Sequence, residues 1–193
     1  MSEDSQMFVD SLRNRVRAMN TLWERAVSDL TLAQMNHHER AGVLPMAFSF
    51  SHFIRAQDQT VSALFMREAP LWVSGGWGAK IGVSVDAFGR EETVAEMEHL
   101  TFRDFEAWKA YQAAVLLRTA AVLETLTADL LAEVLMPKLT PHMQNIFCAI
   151  VIGKDAPLRK LDALECFVYQ HGLRHMGEVE HGRALVGLAG MTS

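Results

Sequence analysis

The chain has 193 residues and a formal net charge of −5, and half of its residues are hydrophobic. An acidic chain lacks the basic surface that nucleic-acid binding needs, and this one has no apolar run of about 18 residues that could span a bilayer. Residues 1–6 are polar and acidic, unlike the basic start of a signal peptide, and two cysteines are too few for a disulfide framework. These features predict one cytoplasmic domain over residues 1–193, with enough apolar residues to favour an oligomer.

The first two predicted helices lie on either side of a polar connection. Apolar residues three to four positions apart predict a helix over residues 5–30, with Ser5 as its N-cap. Pro45 suits the first turn of a second helix that runs to about Arg67. The predicted buried stripe of the first helix is Phe8, Leu12, Val16, Met19, Leu22 (or Trp23), Ala26 and Leu30.

A long connection over residues 71–100 separates the second and third helices. Its segment 72–78 is too rich in glycine for a helix interior, and residues 91–98 could add a short helix. Connections of this length are often functional or cover another part of the molecule.

The third helix is expected to begin near Thr101, in a capping box with Asp104, and to have an inner stripe as far as Leu126. It is expected either to continue or to restart at Thr127, as far as Met136. A shorter helix is expected over residues 141–152.

The last helix is predicted from about Pro157 to Gly187 or Gly190. No strand pattern competes with the helical periodicity. Four main amphipathic helices with long connections and one or two short extra helices predict an all-α fold, a four-helix bundle.

Two histidines in the last helix are the strongest chemical signal in the sequence. His171 and His175 are four residues apart, so they lie on the same helix face and can converge on one metal ion. The spacing alone is weak evidence, because the chain has eight histidines.

His52 is the predicted third ligand. It lies inside the second helix, in line with the small residues Ala56 and Ala63, which leave room around an imidazole. Three histidines from two facing helices would leave metal positions open to water or substrate, as catalytic sites do. The alternative is a core histidine that is hydrogen-bonded to a backbone carbonyl or a glutamine.

The chain also resembles the DinB-like (YfiT-like) metal-dependent four-helix-bundle family over most of its length. The segments that carry the resemblance are the ending His171-x-x-x-His175-x-Gly177-Glu178 with Arg183 and Gly187, the stretch Ala47–Ile54 around His52, and the stretch Tyr111–Leu130 of the third helix.

The resemblance implies that His52, His171 and His175 are the metal ligands, with zinc or nickel as the ion and a water completing the shell. It also implies a homodimer and, as in some relatives, a low-molecular-weight thiol as cosubstrate. The connection over residues 71–100 and an insert around residues 137–157 are longer than the plainest family members need, so the pocket and the substrate stay open.

Four other residues are candidates for the surroundings of the site. Glu178 could orient a metal ligand or act as a base, or it could be a surface carboxylate. Asp58 could accept a hydrogen bond from a ligand, but a solvated position is favoured for it. Trp72 and Trp77 could cap the pocket or a dimer contact, or they could anchor the glycine-rich loop to the core.

The leading functional hypothesis is an enzyme in which a divalent metal activates a thiol or water for attack on a small electrophile. Its reaction would be that of a thiol transferase or isomerase, or of a hydrolase. The alternatives are a non-catalytic stress-response protein that binds a metal or small ligand, and a structural dimer with core histidines. The sequence assigns no catalytic residue, substrate or pathway.

Overall fold

The fold is all-α, with one small pair of strands. In this computed structural model, the described residues are 3–86, 88 and 93–191. In chain order the helices are α1 (Glu3–Ser28), α2 (Leu32–Met35), α3 (Met46–Gln59), α4 (Leu71–Ser74), α5 (Trp77–Ile81), α6 (Val94–Met97), α7 (Phe105–Glu124), α8 (Ala128–Ala132), α9 (Phe147–Ile152), α10 (Lys160–Ala163) and α11 (Gln170–Leu185). The strands β1 (Val134–Met136) and β2 (Leu158–Arg159) pair antiparallel.

Two of the helices continue through π-helical turns. α3 runs into a π-helical segment at Thr60–Met66, and α10 is joined to α11 by another at Leu164–Tyr169. We refer to residues 46–66 as the second long helix and to residues 160–185 as the last long helix. π-Helical turns are rare in proteins, and those that do occur are often found at functional sites.

The long helices enclose a common core. α1 and α7 contact each other, α1 also contacts the last long helix, and the second long helix contacts both α7 and the last long helix. At the centre, Trp23 stacks on Phe53 at 4.5 Å and meets Phe50 edge-on at 5.0 Å. Such aromatic pairs add about 0.5–1.5 kcal/mol to the effect of burial alone.

The buried stripe of α1 follows the predicted period, with one difference. Phe8 was predicted to be buried but is 45% exposed, and its neighbour Val9 is buried instead. Of the two alternatives predicted at the next position, Leu22 and Trp23, Trp23 is the fully buried one. The helix begins at Glu3, so Ser5 lies inside its first turn and is not its N-cap.

Most predicted helix ends lie within a few residues of the observed ones. Pro45 is the N-cap of α3, and the left-handed residue Arg67 follows the last residue of its π-helical continuation. The third helix begins at Phe105 with Asp104 as N-cap, so the predicted capping box at Thr101 is wrong. The predicted restart at Thr127 is confirmed, since its side chain caps α8. The predicted end at Met136 is wrong, because α8 ends at Ala132 and β1 follows.

The expectation that the chain forms no strand is wrong, because two short strands lie at the two ends of residues 134–159. We refer to residues 134–159 as the insert. β1 and β2 join its two ends, and α9 lies between them. Lys160, the first residue of the last long helix, is 5% exposed and pairs at 2.7 Å with Glu133, which precedes β1. These contacts hold the insert against the last long helix. The single predicted helix over residues 141–152 is in fact a 3-10 turn at Pro141–Met143 followed by α9.

The connection over residues 71–100 contains α4, α5 and α6. α6 lies within the short helix that was predicted over residues 91–98, of which residues 91 and 92 lie outside the described part of the chain. None of the helices in the described ranges combines the length and apolarity that a membrane span requires.

Candidate metal centre

Two glycines allow the last long helix to lie close to its neighbours. A Cβ atom on Gly172 would lie 2.2 Å from Met19 Sδ and 2.6 Å from Phe53 Cζ, and one on Gly182 would lie 2.4 Å from Met46 Cγ. A side chain at either position would require the neighbouring side chains to move. The close approach brings His171 and His175 of α11 against His52 of α3.

The three histidines meet through their Nε2 atoms. His171 Nε2 lies 3.1 Å from His52 Nε2 and 2.9 Å from His175 Nε2. Each residue has a ligand atom within 4.8 Å of those of the other two. Two nitrogens that are each about 2.1 Å from one metal ion are separated by about 3.0–3.4 Å, so the observed spacing fits a shared ion to within a few tenths of an ångström.

Each ring also has an acceptor beside it. His52 Nδ1 donates to the backbone carbonyl of Phe88, and His175 Nδ1 donates to Glu178 Oε2 at 2.7 Å. The ring of His171 is hydrogen-bonded to the backbone of Phe167. Because carbonyl and carboxylate oxygens only accept, the protons of neutral His52 and His175 lie on Nδ1 and leave lone pairs on Nε2. Metal-binding histidines have this tautomer and this kind of partner.

Burial keeps two of the rings neutral. Burial, followed by the charges of His175 and His52, lowers the pKa of His171 to about 3. Burial is also the main cause that lowers the pKa of His52. When the rings are neutral, the Nε2 lone pairs of His52 and His175 face Nε2 of His171 at about 3 Å, and a cation bound between the three nitrogens would satisfy them.

Glu178 connects the site to the second long helix. Its Oε2 atom also accepts a hydrogen bond of 2.7 Å from the hydroxyl of Ser49 on α3. Burial raises the pKa of Glu178, but the hydrogen bonds from His175 and Ser49 outweigh it and hold the pKa below its ordinary value. Glu178 is therefore an ionised acceptor that orients His175.

The other carboxylate candidate, Asp58, has a different role. The prediction that it is solvated is wrong, because it is fully buried. Its oxygens accept from the backbone N–H groups of Leu71 and Trp72 and from the hydroxyls of Ser62 and Tyr111, at 2.8–3.0 Å. These bonds hold the start of α4 against the core, and none of them involves a histidine.

Trp72 and Trp77 pack on Tyr111, with ring centroids 5.2 and 5.7 Å away. The guanidinium of Arg55 covers Trp72 at 4.2 Å. Neither tryptophan lines the cavity at the histidines, so the pocket prediction is wrong and the alternative of a loop anchored to the core describes them.

A cavity of about 540 Å³ opens beside the histidines. Its walls come from the second long helix, residue 88, the insert and the last long helix, and both π-helical segments contribute to them. The lining residues are His52, Ala56, Gln59, Thr60, Ala63, Leu64, Phe88, Met136, Met143, Ile146, Phe147, Cys148, Cys166, Phe167, His171 and Arg174.

The sequence analysis missed several residues of this site. Phe88 contributes its backbone carbonyl, which every residue type has, so the sequence gives no indication that this residue is involved. The involvement of Ser49 could have been predicted, because it precedes His52 by three residues on a helix and so lies near the same face. Cys148 and Cys166 are buried and are hydrogen-bonded to each other in the cavity wall.

Comparison with known proteins identifies a shared fold. No family model matches the sequence, and a comparison with curated proteins finds no match. A crystal structure of a conserved protein from Enterococcus faecalis is similar over 92% of this chain and 95% of its own, with a TM-score of 0.71 and 20% sequence identity. At this identity the likeness is one of fold alone.

Proposed function

We propose that this protein is a divalent-metal-binding member of the DinB-like family, and that its long helices form the four-helix bundle of that family. The mutual packing of α1, the second long helix, α7 and the last long helix supports the bundle. The positions of the histidines on the second and last of these helices support the family.

The proposal depends above all on the arrangement of His52, His171 and His175. These residues would hold zinc or nickel through their Nε2 atoms and leave other positions open. An ion there supplies Lewis acidity, which lowers the pKa of water or of a thiol.

The lining of the cavity favours thiol chemistry over hydrolysis. None of its described residues is a carboxylate that could take a proton, and Glu178 is engaged by His175 and Ser49. A thiol, with an ordinary pKa of about 8.5, needs far less help to ionise than water, with a pKa of about 15.7. We therefore propose an enzyme that joins a low-molecular-weight thiol to a small electrophile held in the cavity.

One observation favours a second candidate function. The walls contributed by the insert are largely apolar, and the described lining residues include no carboxylate. A protein that binds a metal and a small apolar ligand without catalysis would need no more than this.

Metal analysis of tag-free protein tests the site. We expect about one equivalent of zinc or nickel in the wild-type protein and almost none in a His171→Ala, His175→Ala double variant, because one remaining imidazole cannot hold the ion. His181→Ala is the matched control, since His181 is exposed on the same helix. Equal, negligible metal in all three proteins would refute the proposal.

A conjugation assay separates the two candidate functions. A generic electrophile is incubated with each of several thiols, with and without a chelator, and hydrolysis of the electrophile is followed in parallel. A chelator-sensitive conjugation rate supports the enzyme. A metal-loaded protein without conjugation or hydrolysis supports the binding protein.

A further inference from the structure

Arg174 is the only charged side chain, apart from the histidines, among the described residues that line the cavity. No carboxylate accompanies it there, and the structure gives it no ion pair with a described residue. The walls nearest to it on the insert and the last long helix are apolar, among them Ile146, Phe147 and Phe167. One cation beside a largely apolar cavity is the arrangement that suits an apolar molecule with one anionic group.

The guanidinium of Arg174 is held in place by stacking. Its Cζ atom lies 4.8 Å from the centroid of the Phe147 ring on α9. Stacking on the face of a ring leaves the N–H groups in the guanidinium plane free to donate, and a carboxylate can accept two of them at once. The insert therefore fixes this cation at the edge of the cavity.

Arg174 lines the same cavity as His52 and His171, which limits the ligand to a small molecule. Arg174 follows His171 by three residues, a rise of about 4.5 Å along the helix. A carboxylate on Arg174 would thus leave the remainder of a small molecule near the histidines.

We propose that the cavity binds an apolar molecule with one carboxylate, that Arg174 binds the carboxylate, and that the insert covers the apolar part. This names the substrate class of the proposed enzyme and rests on the proposed function for the reaction. The binding preference itself does not depend on a metal.

Titration with two isosteric probes, 2-naphthoate and the neutral 2-naphthamide, tests the inference. The wild-type protein is expected to bind the carboxylate at least tenfold more tightly than the amide. Arg174→Gln should weaken binding of the carboxylate by about tenfold and leave the amide unchanged, since it removes a charge-assisted pair. Arg25→Gln, an exposed arginine on α1, is the matched control and should change neither.

A second variant tests the cavity. Ala56 lines it one turn beyond His52, so Ala56→Phe should weaken binding of both probes alike. Equal affinities for the two probes in wild type, equal losses for both in Arg174→Gln, or no binding of either at millimolar concentration would overturn the inference.

Repeating the titrations with a chelator separates this inference from the proposed function. If the preference for carboxylate disappears with the metal and is insensitive to Arg174→Gln, the carboxylate binds the metal and the inference is wrong. If the protein holds no metal but keeps a preference that requires Arg174, the inference stands and the proposed function is wrong.

Discussion

The three histidines depend on the groups that hydrogen-bond to their other ring nitrogens. Only one of these acceptors is a side chain, Glu178, and it is positioned in turn by Ser49. The other two, on Phe88 and Phe167, are backbone groups that substitution leaves in place. The orientation of His175 is therefore the part of the site that mutation can test most directly.

We predict that Glu178→Ala weakens zinc binding by about 10- to 100-fold, the usual effect of removing the partner of a metal-binding histidine. Without the carboxylate, the ring of His175 loses its fixed tautomer and orientation. Competition with a chromophoric chelator measures the affinity. An unchanged affinity would show that His175 is not a ligand, or that its orientation does not need Glu178.

The two serines on α3 provide a matched comparison. Ser49→Ala should weaken zinc binding less than Glu178→Ala, because Ser49 acts only through the carboxylate. Ser51 is fully buried two residues away, and its hydroxyl has no hydrogen-bond partner in the structure. Ser51→Ala should therefore leave the affinity unchanged, and an equal loss in both serine variants would contradict the role given to Ser49.

The positions of these side chains could be predicted from the sequence to different degrees. His171, His175 and Glu178 lie within one helical turn or two of each other, so their relative positions followed from helical periodicity. The meeting of His52 with them required the packing of two helices whose histidines are 119 residues apart in sequence. The small residues in line with His52 suggested this contact, and the family resemblance strengthened the prediction. Asp58, Trp72 and Trp77 were misjudged because their partners, such as Tyr111, lie on other elements.

At the scale of elements, the close approach of the last long helix to α1 and α3 depends on Gly172. A methyl group there would meet Phe53, which cannot move away because it is stacked on Trp23. We predict that Gly172→Ala lowers the free energy of unfolding by up to about 2 kcal/mol, since overpacking of about 1–3 kcal/mol exceeds the gain of about 1 kcal/mol in helix propensity. Urea unfolding measures the change.

Gly177 provides the control on the same helix. A Cβ atom there would meet nothing within 4 Å. Gly177→Ala should therefore raise the free energy of unfolding by up to about 1 kcal/mol, the difference in helix propensity. If both variants are stabilised alike, the close approach at Gly172 does not constrain the helix.

Helix positions were more predictable than the irregular elements between them. Periodicity located α1, α3, α7 and α11 because buried residues recur three to four positions apart along them. The π-helical turns have no such signature, since a short wide turn leaves the residue pattern on either side intact. β1 and β2 are only three and two residues long, too short for alternation to be recognised.

At the scale of the whole molecule, the pairing of Arg183 with Asp29 joins the end of the last long helix to the end of α1. Two hydrogen bonds of 2.6 and 2.8 Å connect the guanidinium to the carboxylate, and Arg183 is 3% exposed. The hydrogen bonds from Arg183, against the opposing effect of burial, lower the pKa of Asp29 from its ordinary value of 3.8.

This lowered pKa gives the pairing a defined pH dependence. The carboxylate of Asp29 binds a proton less readily in the folded state than in the unfolded state. The contribution of Asp29 to stability is therefore complete at pH values above its pKa in the unfolded state, and it is lost as the pH falls through its lower pKa in the folded state. We predict that Asp29→Asn is less stable than wild type at about pH 6 and that the difference shrinks towards about pH 3. Urea unfolding at a series of pH values measures it.

Glu24→Gln is the control for this pH series. Glu24 is an exposed carboxylate on α1 for which the structure gives no basic partner among the described residues. Its substitution should leave stability close to wild type across the series. A difference for Asp29→Asn that persists unchanged at low pH would contradict the ionic origin of the effect.

The π-helical turn at Leu164–Tyr169 lies between two parts of the last long helix with different attachments. Before it, Lys160 is fixed to Glu133 beside the insert, and after it His171 and His175 face the second long helix. A π-helical turn accommodates about one residue more than an α-helical turn, and one residue corresponds to a rotation of about 100°. If the same residues formed a regular α-helix instead, the part of the helix beside the insert and the part that carries the histidines would be rotated relative to each other by about that angle. The turn thus sets the angular phase between the part of the chain that covers the cavity and the part that supplies the histidines.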